Sequence, residues 1–392
     1  MLTARQEEEL IDFTRRLVQA QSLTGQEGEV AGLVQAQMRQ MGYQVSVDDW
    51  GNVVGTLQGR GQGSVLFDAH MDTVPVGREQ WQQDPFGGAL LGSRMYGRGT
   101  SDMKGALAAA LYGIGLLAAN ADTLGTVHVS ASVCEEPAEG PALVHVCERL
   151  RPGCVVIQEA TQLRVNRGQR GRAEIHIETF GKPAHSSTPH LGVNAVLHMN
   201  QVIGAIAALP LPVDALLGPA ILVLTDIKSN PYPGLSVVPY GCHVTYDRRL
   251  LVEDTPASAL GQIQAILDRL ARADPSFKGE ARLAETPVTT YTGAHFVHKA
   301  FAPAWKYPEE HPVVAAAVGA LRGIGQAADY GHYNFCTNGS GSAGVLGIPT
   351  IGYGPGREEE AHIADEYLAL DQLIAAANGY QALARSLSCL AL

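Results

Sequence analysis

Two stretches decide the fold: Val65-Leu66-Phe67-Asp68-Ala69-His70-Met71-Asp72 and Val127-His128-Val129-Ser130-Ala131-Ser132-Val133-Cys134-Glu135-Glu136. The first is a short apolar run that ends on Asp68-Ala69-His70. In the second, Val127, Val129, Ala131 and Val133 alternate with His128, Ser130 and Ser132, the period of a strand, and stop at Cys134-Glu135-Glu136. A third apolar run, Cys154 to Ile157, ends at Glu159. Between the first two, residues 103–119 are rich in Ala and Leu, with Leu107, Leu111, Ile114 and Leu117 at helical spacing. This alternation predicts an α/β fold, a mixed sheet with helices on both faces. Such sheets take ligands beyond the carboxyl ends of their strands, where these polar residues fall.

The texture changes near residue 172. Ala173, Ile175 and Ile177 alternate with Glu174, His176 and Glu178, and Cys242, Val244 and Tyr246 with His243, Thr245, Asp247 and Arg249, as in strands with one wet face. Val196, Met199, Ile203 and Ile206 mark one helix, and residues 257–273 another. Together they predict a small α+β insert of ferredoxin-like type. From about residue 290 the chain returns to helix and strand, through Pro349-Thr350-Ile351-Gly352-Tyr353 to a last helix from about Asp371. The expected organisation is a catalytic domain, residues 1–171 and 290–392, interrupted by a lid over 172–289.

Composition excludes several function classes. The 392 residues exceed one ordinary core, and 46% apolar with 17% charged residues describes a globular chain. No apolar run reaches the roughly 18 residues of a membrane span, and the start, with Glu7, Glu8 and Glu9, lacks signal-peptide character. Six scattered cysteines without a C-x-x-C pair argue against disulfides and a thiolate metal site, so a cytoplasmic protein is expected. The net charge of −11 disfavours nucleic acid and anionic membranes as partners.

The candidate chemistry lies in five segments: His70-Met71-Asp72, Gly97 to Gly105 with Ser101-Asp102, Glu135-Glu136, Glu159, and Ala361-His362-Ile363-Ala364-Asp365-Glu366. Each alone has a bland reading. H-x-D is usually a surface or core pair, Glu-Glu a solvated loop, Ser-Asp before a helix a cap, and His362 part of a charged loop.

Together, and in this order, the segments resemble the co-catalytic zinc amidohydrolases and metallopeptidases that include acetylornithine deacetylase, succinyl-diaminopimelate desuccinylase, aminoacylase and bacterial glutamate carboxypeptidase. Trp81, Asp84-Pro85-Phe86 and Gly181-Lys182-Pro183-Ala184-His185-Ser186 extend the resemblance over nearly the whole chain. Asp247-Arg248-Arg249-Leu250 is similar to the subgroup of selenium-metabolism-linked hydrolases. The resemblance implies two divalent metal ions, zinc by default with cobalt or manganese as alternatives. His70 and Glu159 would hold one, Glu136 and His362 the other, and Asp102 would bridge them. Asp72 would orient His70 through its ring N–H. Glu135 would act as general base on a hydroxide-forming water between the metals. Three carboxylates and a hydroxide balance two divalent ions, whereas the same carboxylates without metal would repel one another. The resemblance also implies a cis peptide bond between Asp102 and Met103.

In relatives the histidine of the Gly-Lys-Pro-Ala-His-Ser loop, here His185, stabilises the oxyanion in the neighbouring subunit's site, which implies a homodimer through the lid. Arg249, on the wet face, is the candidate for a substrate carboxylate, with a salt bridge to Asp247 as the alternative. Asn338-Gly339-Ser340 resembles the substrate loop, whose N–H groups can face a carboxylate. Ser236 before Val237-Val238-Pro239 departs from the Asn many relatives have. The expected function is metal-dependent hydrolysis of an amide in an N-acyl amino acid or small peptide with a free carboxylate. The alternatives are a carboxypeptidase or dipeptidase with the same metal site, a non-catalytic binding protein, and a thiol enzyme built on Cys134 or Cys336.

Overall fold

The structure is a computed structural model that describes residues 1–77 and 80–391. Its contacts divide the chain into two units, Met1–Gln169 with Pro287–His298 and Trp305–Leu392, and Arg170–Thr286 with Lys299–Ala304.

The first unit is built on a nine-stranded mixed sheet. Strand Ser64–His70 lies at its centre, parallel to both Thr126–Ser132 and Cys154–Ile157, and Thr350–Gly352 runs parallel to Cys154–Ile157. The hairpin Gln44–Val47 and Val53–Leu57 extends the sheet antiparallel beyond Thr126–Ser132. Strand alternation explains the layers. Val65, Phe67 and Ala69 join the main core with helices Ala4–Gln19, Gly105–Gly115 and Leu370–Leu387. Leu66 points the other way, onto Leu143 and Val146 of helix Pro141–Leu150. Burying each of Val65, Leu66 and Phe67 contributes about 1.5–3 kcal/mol, so a sheet apolar on both faces holds helices on both.

Helix Gly105–Gly115 is buried along its whole length, which its run of Ala and Leu permits. The helical spacing over 103–119 stops short at both ends. Thr100–Lys104 is an irregular turn, with Asp102 at φ −128 and ψ 92, and a short 3-10 turn follows at Ala118–Thr123.

The second unit carries a sheet ordered Ile221–Asn230, Gly241–Leu250, Gly171–Phe180, Lys278–Leu283, with neighbours antiparallel. With helices Ala195–Ala207 and Pro256–Ala273 between the strands, this is a ferredoxin-like order. Ile175, Ile177, Val244 and Tyr246 pack with Met199, Val202, Ile263 and Leu267 on the helix side. Asn194 and Thr255 cap the two helices through backbone N–H groups, and Pro256 opens the second. Residues 299–304 return to this unit, where Phe301–Ala302 pairs with Gly171–Phe180. Among the described residues, no helix is long and apolar enough to cross a membrane.

Gly113 sets how closely helices Gly105–Gly115 and Leu370–Leu387 approach, since a Cβ there would stand 2.3 Å from the Ala377 carbonyl oxygen. Gly113→Ala is expected to destabilise the fold by about 1–3 kcal/mol, measured as a lower urea midpoint. An unchanged midpoint would mean the helices do not meet this way.

Candidate metal centre

The ends of the parallel strands place the chemistry. His70 is the last residue of Ser64–His70, Glu135 and Glu136 follow Thr126–Ser132, and Glu159 follows Cys154–Ile157. His70 is fully buried; its Nε2 lies 2.9 Å from Asp102 Oδ1, 3.5 Å from Glu159 Oε1 and 3.9 Å from Glu135 Oε2. His362 Nε2 lies 3.1 Å from Asp102 Oδ2 and 3.1 Å from Glu136 Oε2. Donor atoms of His70, Asp102 and Glu159 lie within 4.8 Å of one another, and so do those of Asp102, Glu136 and His362. Asp102 belongs to both groups. One carboxylate with an oxygen toward each of two nitrogen-and-oxygen donor sets fits a pair of borderline divalent ions.

The turn that presents Asp102 is held by a residue to which the sequence reading gave no role. Glu366, buried without exposure, accepts from the N–H groups of Gly99 (3.1 Å), Ser101 (2.8 Å) and Asp102 (3.1 Å) and pairs with Arg98 at 2.6 Å. The Asp102–Met103 peptide bond is cis. Lys104, also buried, donates to the Ala20 carbonyl at 2.7 Å, and burial lowers its ammonium to about 7.

Asp72 faces His70 with two oxygens. Its backbone oxygen lies 2.9 Å from His70 Nδ1 and its carboxylate 3.5 Å. The carboxylate also accepts from the N–H of Glu135 (3.1 Å), the N–H of Glu136 (3.2 Å) and the Thr24 hydroxyl (2.8 Å), contacts not expected from the sequence. The physical reason is that two backbone N–H groups just past a strand end need acceptors, and Asp72 is the buried one in reach.

The loop at 338–342 also departs from the expectation. Asn338 donates to Asp68 (3.1 Å) and Ser132 (3.1 Å) and accepts from the Gly140 N–H (2.8 Å), tying this loop to the buried Asp68–Ser130 pair. The N–H groups of Gly339, Ser340 and Gly341 are taken by Thr337 and Asn338, so they do not form the open carboxylate cradle that was expected. His185 and Arg249 stand in the second unit. His185 is exposed, with Nδ1 2.7 Å from the Ser187 hydroxyl. Arg249 makes the alternative contact, a salt bridge to Asp247 at 2.9 Å. Of the two candidate thiols, Cys134 is the wrong one for a nucleophile, while Cys336 is buried with its Sγ 3.1 Å from the Ser340 hydroxyl. Cys134 is wholly buried, and burial pushes its thiol far up, away from the reactive thiolate.

Charge in the cluster follows from its geometry. Burial raises Glu159 to about 7, with the Asp102 charge adding to it, and burial lifts Glu135 well above the usual carboxylate range. Hydrogen bonds to Asp102 and Glu136 raise His362 to about 10. Burial works to raise Asp102, but His362 and His70 together outweigh it and hold the carboxyl below its usual range. The side chains alone therefore retain protons that a bound cation would displace.

Residues 66–386 match Peptidase family M20/M25/M40. The chain belongs to this family. It is 34% identical over 384 residues to the uncharacterized protein YgeY of Escherichia coli K12, covering 95% of this chain and 92% of that one. It is 28% identical over 339 residues to acetylornithine deacetylase of Edwardsiella ictaluri, covering 81% and 78%. In fold it is similar to YXEP of Bacillus subtilis, described as a dinuclear metal-binding peptidase of the M20 family, with a TM-score of 0.73, 16% identity and coverage of 97% and 98%. The chain is thus an M20 family metallohydrolase of the peptidase and deacetylase type, with residue clusters able to hold metal.

Protonated His362, up to about 10, and protonated Glu159, up to about 7, compete with any cation. Uptake of a divalent cation near neutral pH is expected to release protons and to weaken as pH falls. Titration calorimetry in phosphate and in Tris should give different heats, in step with the buffers' ionisation enthalpies. Equal heats would contradict this account of the cluster.

Proposed function

We propose that this M20 family hydrolase removes the acyl group from an N-acyl amino acid with a free carboxylate, using two divalent ions, zinc by default, with Glu135 as general base. The observation that carries the reading is Asp102, shared by two donor groups, with Glu135 beside them and in neither. His70 and Glu159 would hold one ion, Glu136 and His362 the other. The bound ions would polarise the scissile carbonyl and make water more acidic.

The chain's own residues do the rest. Glu135 takes a proton from the attacking water and returns it to the departing nitrogen. The C–O bond forms first as Glu135 takes the proton, and the amide C–N bond then breaks as the nitrogen receives it, leaving a carboxylate and an amine. Burial pushes the Glu135 carboxyl up, the direction that favours its holding a proton between the two transfers. Asp72 fixes the peptide on which Glu135 and Glu136 sit. Arg249, on the polar sheet face, is assigned to the substrate carboxylate, exchanging Asp247 for it. Resemblance to the deacetylase over 81% of the chain favours an acyl amino acid over a dipeptide.

A homodimer through the second unit belongs to the same proposal, with His185 of each copy serving the other's site. Strand Ile221–Asn230 is a sheet edge of ten residues, with Val223 48% and Ile227 52% exposed, and such edges pair readily with another chain. Ile227→Lys is expected to convert a sedimenting dimer into monomers; a wild-type chain that sediments as a monomer contradicts this.

The reaction is tested with a panel of N-acetyl amino acids, N-succinyl amino acids and dipeptides, assayed with added zinc, cobalt or manganese. N-acyl substrates should be turned over fastest. Glu135→Gln should lower kcat by about 10²–10⁴-fold with metal content unchanged. Unaltered hydrolysis by that variant removes Glu135 as the base, and fastest turnover of dipeptides moves the assignment to a dipeptidase.

A further inference from the structure

Four successive backbone N–H groups lead to and include the two glutamates, and side chains take all of them. Val133 donates to Asn52 Oδ1 (3.0 Å), Cys134 to Glu27 Oε1 (3.2 Å), Glu135 to Asp72 Oδ1 (3.1 Å) and Glu136 to Asp72 Oδ2 (3.2 Å). The acceptors come from three separate parts of the chain. The segment needs holding, because Cys134 sits at φ +56, where a residue with a side chain is rarely stable by itself.

Glu27 is the unexpected member. It precedes helix Gly28–Gln40 at the N-cap position, yet its side chain makes no capping bond there. Its carboxyl is fully buried, with Oε1 turned to the Cys134 N–H and to the Cys134 thiol at 3.6 Å, and Oε2 without a hydrogen-bond partner. A buried carboxyl is costly to keep unless it does something a smaller group cannot. The turn that carries it also reaches the other strand end. The Ser22 hydroxyl donates to the Met71 carbonyl (2.7 Å), the Thr73 N–H to the Ser22 carbonyl (2.9 Å), and the Thr24 hydroxyl to the Asp72 carboxylate (2.8 Å). Residues 22–27 therefore clasp the strand end bearing His70 and Asp72 to the loop bearing Glu135 and Glu136.

We propose that Glu27 is a positioning residue for hydrolysis, which by accepting the Cys134 N–H fixes the peptide that aims Glu135. It touches no reacting atom. The inference rests on Glu135 being the base, and a general base must be held within a fraction of an ångström of its productive place.

Two variants separate positioning from bulk stability. Glu27→Gln keeps an acceptor oxygen for the Cys134 N–H. Glu27→Met keeps the length and burial without one. Each is loaded with zinc, its metal content is measured, and it is assayed on whichever panel substrate the wild type turns over fastest. Glu27→Met should lose about 100-fold in kcat with KM within about threefold, while Glu27→Gln stays within about threefold of wild type in both, a split that loss of stability alone does not produce. Wild-type kcat in Glu27→Met at equal metal content, or an equal loss in Glu27→Gln, overturns the proposal. Hydrogen exchange of the wild-type 133–136 amides decides the matter should Glu27→Met not fold. Slow exchange is expected, and exchange as fast as in an exposed loop overturns it. A wild type inactive on the whole panel sinks the hydrolase reading instead, and leaves the exchange result to judge the clasp.

Discussion

Asp102 sets one carboxylate between two imidazoles, 2.9 Å from His70 and 3.1 Å from His362. That placement constrains everything else around it. A carboxylate facing two histidines and two further glutamates cannot be buried unless cations or protons balance the charge. Its position must also be rigid, since a shift toward either imidazole would break one of the two donor groups. Glu366 provides that rigidity by collecting the N–H groups of Gly99, Ser101 and Asp102 onto one buried carboxylate, itself neutralised by Arg98.

A parallel sheet is well suited to gathering such groups. Three adjacent strands end at the same edge, so His70, Glu135, Glu136 and Glu159 meet without long loops. Each strand end also leaves backbone groups without ladder partners. Here buried side chains satisfy them, with Asp72 and Glu27 on the glutamate loop and Asn338 on Gly140. The polar network around Asp68, Ser130, Ser132 and Asn338 does the same work one layer down. Function and fold thus draw on the same hydrogen bonds: those that hold the strand ends together also hold the donor atoms in place.

Local pattern made the sheet readable, and the family resemblance pointed to the candidate donors at its strand ends. Apolar runs that stop on His70, Glu135 and Glu159 announce both a buried strand and a site at its end, and the alternation of Ile175 and Ile177 with His176 and Glu178 marks a strand with one wet face. What stayed hidden was long-range. Glu366 lies 264 positions from Asp102, and Glu27 lies 107 from Cys134, so neither contact leaves a local signature. Whether a side chain or its own carbonyl makes the closer contact is equally invisible, as with Asp72 and His70. The inward turn of the 338–342 loop depends on Asp68 and Gln169, which belong to distant strands. The short return of residues 299–304 to the second sheet has too few residues to show a period.

As a member of the M20 family the chain carries hydrolase chemistry, and its donor groups fit a pair of ions. The central claim, that Asp102 is shared between two cations, is tested most directly by anomalous X-ray scattering at the zinc edge from crystals grown with zinc. Two peaks are predicted about 3.5–4 Å apart, one beside His70 and Glu159, the other beside Glu136 and His362, with Asp102 between them. A single peak, or His362 turned away from Asp102 in the zinc-loaded crystal, would contradict it.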